Sequence, residues 1–99
     1  MTYKLRISTA AQEDLERMFE FLAVNDLPSA IRARDAIEKA YGFAEIMPFA
    51  CRKVDESNPF LRELVISFGA AGYVALFEID DNKTVTILAI RHQREEDFH

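Results

Sequence analysis

Three strand-like runs in the second half of the chain constrain the fold more than any other feature. They extend from Leu61 to Phe68, from Tyr73 to Ile79 and from Thr84 to Ile90. The separators, residues 69–72 and 80–83, each have the length that joins neighbouring antiparallel strands as hairpins. The three runs are predicted to form an antiparallel meander. Because the second and third are apolar at nearly every position, they are predicted either to be central strands or to be covered on both faces.

In the first part of the chain, the spacing of the apolar residues changes from a period of two residues to the period of a helix. Apolar residues alternate with polar ones between Tyr3 and Ile7, which predicts a strand with one buried face near a sheet edge. Residues Thr9 to Gln12 have the form of a capping box, and apolar residues then recur at helical spacing. A first helix is therefore predicted from about Ala10 to Ala23 or Val24.

A second helix follows after a short polar connection. Asp26 or Leu27 is predicted to be near its N-cap, with Pro28 in the first turn, where a missing N–H costs nothing. An alanine-rich stripe marks its buried face, and the helix must end before Pro48. A connection this short makes the two helices antiparallel neighbours. The segment from Pro48 to Pro59 has no periodicity and is predicted to be a surface loop.

The predicted element order is β-α-α-β-β-β. This order indicates an α+β fold in which a helical hairpin packs on one face of a small, mainly antiparallel sheet. With 99 residues and 49% apolar composition, residues 1–99 are expected to form a single domain. No apolar stretch approaches the roughly 20 residues of a membrane-spanning helix, and no signal segment is recognisable, so a cytoplasmic location is expected.

Charge and cysteine content exclude several function classes. The 12 basic and 17 acidic residues give a net charge of −5, whereas nucleic-acid binders usually carry an excess of basic residues. One cysteine, Cys51, and two distant histidines, His92 and His99, offer no metal-ligand spacing. The chain also lacks a phosphate-binding glycine loop and a nucleophile elbow. No metal or cofactor is therefore expected, and Cys51 is interpreted as a spectator thiol.

Cationic side chains near the strand ends are the candidates for binding. Arg62 begins the first strand of the meander, Arg91, His92 and Arg94 follow the last strand, and Arg52 lies in the preceding loop. If they converge, they form a cationic patch with one titratable imidazole, suited to a carboxylate-rich partner or a phosphate. The alternative for each arginine is an ordinary surface position, with its stem over the sheet or its charge paired in solvent.

The chain resembles the RelE/ParE superfamily of small bacterial toxins from type II toxin–antitoxin systems, and is more similar to the ParE branch. The stretches that carry this resemblance extend over nearly the whole chain. They are Ser8–Leu15, Pro48–Arg52, Leu61–Leu64, Gly72–Tyr73 with Phe77–Ile79, and Ile87–Glu95. The resemblance implies a toxin that a cognate antitoxin holds inactive, with an antitoxin helix in the groove beside the helical hairpin and often an added strand on the sheet.

For a ParE-like toxin, the resemblance implies inhibition of DNA gyrase by binding, without catalysis, and neutralisation by a ParD-like antitoxin. That antitoxin is expected to be a ribbon-helix-helix protein, so DNA is contacted only indirectly, through the antitoxin. The candidates for contact with the target are Arg52, Arg62, Arg91, His92 and Arg94. Apolar residues of the two helices are the candidates for the antitoxin: Leu15, Met18, Phe19, Phe21, Leu22, Leu27, Ile37 and Tyr41.

Two alternatives remain open at this point. The first is a RelE-like, ribosome-dependent mRNA endonuclease in which Arg62, Arg94 and a histidine supply the catalytic groups. The sequence departs from that branch, with Gly69-Ala70-Ala71 where it carries an arginine and Gln93 where its terminal catalytic arginine would fall. The second is an inert family member that serves in autoregulatory complexes.

Overall fold

The computed structural model of the protein describes residues 2–69 and 71–93. Its elements are β1 (Lys4–Ile7), α1 (Thr9–Asn25), α2 (Leu27–Ile46), a 3-10 turn (Pro48–Ala50), β2 (Arg52–Asp55), β3 (Asn58–Phe68), β4 (Ala71–Ile79) and β5 (Thr84–His92). The strands form one sheet in the order β1-β5-β4-β3-β2, with β1 parallel to β5 and every other pair antiparallel. The predicted α+β fold, a helical hairpin on a mainly antiparallel sheet, is confirmed.

The core lies between the helical hairpin and one face of the sheet. The largest fully buried side chains come from α2, β4 and β5: Phe77, Ile37, Ile87, Ile90 and Val85. Strands β4 and β5 are central and β1 is at an edge, as their apolar patterns predicted. The opposite sheet face carries no helix within the described residues. Neither described helix is long and apolar enough to cross a membrane.

The predicted loop from Pro48 to Pro59 is wrong in part, because it contains the 3-10 turn, strand β2 and the start of β3. All four residues of β2 are exposed. Its sequence therefore has no alternation of buried apolar and exposed polar residues from which a strand could be predicted. Its pairing with β3 defines it: Arg52 lies opposite Glu63 and Lys53 opposite Arg62, with a register shift before Asp55. Short, charged edge strands of this kind resist pairing with other chains.

The N-cap of α1 is Ser8 rather than Thr9, so this helix begins at Thr9, one residue earlier than predicted. The Ser8 hydroxyl accepts the backbone N–H of Ala11 at 3.1 Å, which satisfies one of the unpaired donors of the first turn. Helix α2 begins as predicted, with Asp26 as N-cap accepting the N–H of Ser29 at 3.1 Å and a proline in the first turn.

Side chains at the start of α1 also form hydrogen bonds to β5 near a β-bulge. Leu76 pairs with Ala89 but Phe77 pairs with Ile87, so Leu88 is the extra residue of β5 at that point. The Ser8 hydroxyl donates to the carbonyl oxygen of Leu88 at 3.1 Å, and Asp14 Oδ2 accepts the N–H of Ile90 at 3.0 Å. Two side chains of the first helical turns therefore bind the backbone on both sides of the bulge and orient the end of β5.

We expect Asp14→Ala to lower the free energy of unfolding by about 1–3 kcal/mol, because the partly buried N–H of Ile90 loses a charged acceptor. Asp14→Asn should lose less, since its amide oxygen can still accept. Urea unfolding followed by circular dichroism measures both. The matched control is Glu13→Ala, which removes an exposed carboxylate from the same helical turn. Equal losses for Asp14→Ala and Glu13→Ala would contradict the role of this hydrogen bond.

Candidate functional site

The end of β5 places Arg91 and His92 on opposite faces of the sheet. His92 lies opposite Tyr73 on the helix-bearing face, where the two rings meet edge to face with centroids 5.6 Å apart. Arg91 lies on the face that carries no helix, because successive side chains of a strand alternate. Both side chains are half-buried and take part in further contacts. Arg94 and His99, also singled out from the sequence, lie outside the described residues.

Arg62 lies inside the protein, with 7% of its surface exposed. Its Nε donates to the carbonyl oxygen of Pro59 at 2.8 Å, and its Nη1 donates to those of Phe49 at 3.0 Å and Cys51 at 2.8 Å. The guanidinium carbon also lies 5.3 Å from the centre of the Phe49 ring. This guanidinium joins the 3-10 turn and the residue before β2 to the start of β3. The geometry therefore supplies no support for Arg62 as a contact with a target.

Arg52 is exposed on edge strand β2 and forms a cross-strand ion pair. Its Nε and Nη2 lie 2.9 and 2.8 Å from Glu63 Oε1. An exposed pair of this kind stabilises the fold by no more than about 1 kcal/mol, so Arg52 can exchange its partner at small cost. The register places Arg52 on the same helix-free face as Arg91.

The structure does not gather the four candidates that it describes, Arg52, Arg62, Arg91 and His92, into one cluster. Arg52 and Arg91 share a sheet face but belong to strands separated by two others, which at about 4.8 Å per strand spacing is roughly 14 Å. Arg62 and His92 are both on the helix-bearing face, where they lie opposite Phe77 and Tyr73 of β4. Four residues of an extended strand separate these positions by about 13 Å.

Sequence reasoning missed Arg6, a third arginine on the helix-free face. It lies on β1 opposite Thr86 of β5 and is exposed. Arg6, Arg91 and Arg52 therefore border this face on β1, β5 and β2, with Leu76 of β4 between them. The alternation of β1 contained the signal, since Arg6 stands between two apolar residues of the opposite face.

The eight apolar candidates for antitoxin binding divide into three groups. Ile37 and Tyr41 are buried in the core and cannot touch a partner while the fold is intact. The half-buried residues are Leu15, Met18, Phe19 and Leu22, which line a small crevice between the helices and Tyr73. Phe21 is 75% exposed and Leu27 51%.

Two further apolar residues join the exposed pair. Val24 on α1 is 82% exposed, and Ile31 on α2 is also exposed. We call Phe21, Val24, Leu27 and Ile31 the tip patch, because each is exposed and lies within five residues of Asp26, where the two helices connect. Exposed apolar residues grouped at one place are typical of a surface that a partner covers. Their spacing, i,i+3 in α1 and i,i+4 in α2, was available in the sequence.

The surroundings of Cys51 and Tyr41 do not activate either side chain for catalysis. Burial raises the pKa of the Cys51 thiol, opposed only in part by the charge of Arg62, so the reactive thiolate is disfavoured. Burial, with the carboxylates of Glu38 and Asp14, also raises the pKa of Tyr41, whose buried hydroxyl has no hydrogen-bond partner among the described residues. Within residues 2–69 and 71–93, no three His, Cys, Asp or Glu side chains come together as metal ligands would.

We expect Arg62→Lys to lower the free energy of unfolding by about 2 kcal/mol or more, because an ammonium group cannot reproduce the planar fork that reaches three carbonyl oxygens. Urea unfolding measures the change. The matched control is Arg52→Lys on exposed β2, which should change it by less than about 0.5 kcal/mol. Similar losses for the two variants would contradict the structural role of Arg62.

Comparison with known protein families identifies the family of this chain. Residues 5–97 match the family described as ParE toxin of type II toxin-antitoxin system, parDE. No match was found among curated proteins. Among solved structures, the chain is similar to one from the chromosomal ParDE toxin–antitoxin system of P. aeruginosa. That similarity has a TM-score of 0.72 and 20% identity, and covers 92% of this chain and 96% of the other.

A second solved structure is the toxin-antitoxin complex RelBE2 of Mycobacterium tuberculosis. Its chain is 25% identical to this one, with a TM-score of 0.57, over 94% of this chain and 100% of the other. The two structural similarities agree with the observed arrangement of a helical hairpin on a mixed sheet. Because the family match covers nearly all of the sequence, this chain belongs to the ParE toxin family of type II toxin–antitoxin systems.

Proposed function

We propose that this ParE-family toxin inhibits DNA gyrase in the cytoplasm and that a ParD-like antitoxin of the ribbon-helix-helix class holds it inactive. The observation that carries the proposal is the family match over residues 5–97. The chain acts by binding, since the buried Cys51, Tyr41 and Arg62 are not arranged to attack or protonate a substrate. The toxin contacts DNA only through its antitoxin.

The tip patch is the proposed first contact of the antitoxin. Its four apolar residues have no cover within the described chain, and an amphipathic helix that packs on them would bury surface that otherwise costs free energy in water. The crevice between α1 and α2, lined by Met18, Phe19 and Leu22, offers further apolar surface on the same hairpin. The structure similar to this chain from P. aeruginosa belongs to a toxin–antitoxin system, which supports a partner of the same class here.

The proposed contact with gyrase is the helix-free sheet face together with the end of β5. Arg91 lies at the end of this surface, Arg52 and Arg6 border it on the two edge strands, and His92 lies at the same end of β5 on the opposite face. Guanidinium groups around a partly apolar face can bind a carboxylate-rich protein surface. Arg94, which follows the described part of β5, remains a candidate for the same contact, and Arg62 does not.

The alternative is a RelE-like endonuclease, which the similarity to the RelBE2 complex supports. Cleavage of RNA requires a base close to the scissile phosphate and a cation on that phosphate. Arg62, one of the proposed catalytic groups, donates to three backbone carbonyl oxygens and is buried. His92 is about 13 Å from it along the strand direction alone, and two strand spacings of about 4.8 Å separate them in addition. This separation favours inhibition by binding.

The gyrase proposal predicts that the purified toxin inhibits DNA supercoiling by purified gyrase. Arg91→Ala should raise the concentration for half inhibition about tenfold, because a charged contact of the proposed surface is lost. The matched control, Arg32→Ala on the exposed side of α2, should leave it unchanged. Absence of inhibition, with cleavage of mRNA in a translation extract, would contradict this proposal and favour the endonuclease. Circular dichroism establishes that each variant is folded.

The antitoxin proposal predicts that the double variant Phe21→Ser with Leu27→Ser binds its cognate antitoxin at least about tenfold more weakly, because two apolar anchors are lost. Isothermal titration calorimetry measures the affinity. Val65→Ser, which removes an exposed apolar side chain from the helix-free sheet face, is the matched control and should bind as the parent does. An unchanged affinity of the double variant would contradict the proposed contact.

A further inference from the structure

One charged side chain lines the crevice between the two helices. The other residues that line this crevice are apolar or aromatic and come from α1, from α2 and from Tyr73 of β4. The charged residue is Arg34 of α2, which is exposed. The crevice therefore differs from the tip patch, whose four residues are all apolar.

The guanidinium of Arg34 extends from α2 to α1. Its central carbon lies over the Phe19 ring, 5.0 Å from the ring centre. Glu38, one turn further along α2, has the spacing for an i,i+4 ion pair with Arg34. Among residues 2–69 and 71–93, however, neither Glu38 nor any other carboxylate pairs with it. The charge is thus held against an aromatic ring and has no counter-charge in the described chain.

Arg34 continues a line of exposed side chains along α2. Leu27 and Ile31 precede it by seven and three residues, and these spacings place all three on one side of the helix. At a rise of about 1.5 Å per residue, Arg34 lies roughly 10 Å along the helix axis from Leu27. A partner helix that packs along α2 over the two apolar residues therefore covers Arg34 as well.

Covering Arg34 is unfavourable unless the partner supplies an acceptor. A helix packed on the crevice removes water from the guanidinium, and a desolvated charge without a counter-charge is costly. The carboxylate of an aspartate or glutamate can accept two parallel hydrogen bonds from this group. The aliphatic stem of Arg34 remains available to apolar neighbours of that carboxylate. Charge complementarity therefore selects a helix that is apolar at most contact positions and acidic at one.

We propose that Arg34 sets the register of the antitoxin on this toxin by pairing with one carboxylate of an amphipathic antitoxin helix. That carboxylate lies one or two helical turns from the apolar residues that cover Leu27 and Ile31. The inference rests on the proposed function, because it takes the antitoxin as the occupant of the crevice. It adds the chemistry that distinguishes one antitoxin segment from another.

The acidic character of the toxin makes this pairing selective. The net charge of −5 opposes the approach of carboxylates to most of the surface. Glu38, which is exposed on the same side of α2, repels a carboxylate placed one turn out of register. A second copy of the chain carries the same net charge and is a less favourable occupant than a helix with one well-placed acidic residue.

The test is isothermal titration calorimetry of the toxin with its cognate antitoxin. Arg34→Met keeps a long stem but removes the charge, and should weaken binding about tenfold. Arg34→Lys keeps the charge without the planar fork, and should weaken binding only about threefold. The matched control is Arg32→Met at an exposed position of α2, where the side chain binds Ser29. It should bind within about twofold of the parent. Equal affinities of Arg34→Met and Arg32→Met would overturn the proposal.

Charge reversal identifies the partner carboxylate. Arg34→Glu should weaken binding about a hundredfold, because two carboxylates then face each other. Each aspartate and glutamate of the antitoxin outside its DNA-binding part is then changed in turn to lysine. One lysine variant should restore at least about tenfold of the affinity lost with Arg34→Glu, which a purely structural role of Arg34 could not produce. If none restores binding, the pairing does not exist.

The possible failures are distinguishable. If the antitoxin binds the parent and Arg34→Met equally well, the antitoxin proposal stands and the role of Arg34 is overturned. If the antitoxin does not bind the parent toxin, the proposed partner and this inference fail together. A dimer of the toxin alone, seen by light scattering and dissociated by Arg34→Glu, would make a second copy the occupant and also overturn the proposal. Should Arg34→Met fail to fold by circular dichroism, the charge-reversal pair decides alone.

Discussion

The contact between the start of α1 and the bulge in β5 is the constraint on which the rest of the structure depends. Ser8 and Asp14 bind the backbone at Leu88 and Ile90, about 80 residues away in the chain. The same serine caps the helix. One short segment therefore ends β1, begins α1 and orients the last strand, so that Arg91 leaves the bulge toward the helix-free face. A substitution in this segment that shifted the end of β5 would therefore also shift the candidate site.

Arg62 has a corresponding structural role near the opposite edge of the sheet, beside β2. A buried guanidinium is costly unless its donors are satisfied, and here three backbone carbonyl oxygens supply the acceptors. Hydrogen bonds from this one guanidinium therefore join the 3-10 turn, the residue before β2 and the start of β3 at this edge. The same guanidinium packs against the Phe49 ring, so a residue first considered for function contributes instead to the structure of this edge.

The end of β5 and the tip of the helical hairpin differ in chemistry. The end of β5 offers Arg91 and His92, whereas the tip patch is apolar. The proposed contacts with gyrase and with the antitoxin therefore lie on separate surfaces of the protein.

The sequence by itself determined the elements whose signal is local. Strands β4 and β5 were predictable because central strands, with a neighbour on each edge, carry nearly continuous apolar runs, and α2 because its cap and alanine stripe are adjacent in the chain. Even the face of Arg62 followed from the alternation of β3. Tertiary structure decided what depends on distant partners: β2, an exposed strand defined only by pairing with β3, and the N-cap at Ser8, which also binds Leu88. It likewise decided how far apart the arginines lie, because strand order and register set those distances. Neither can be predicted from one segment of the sequence alone.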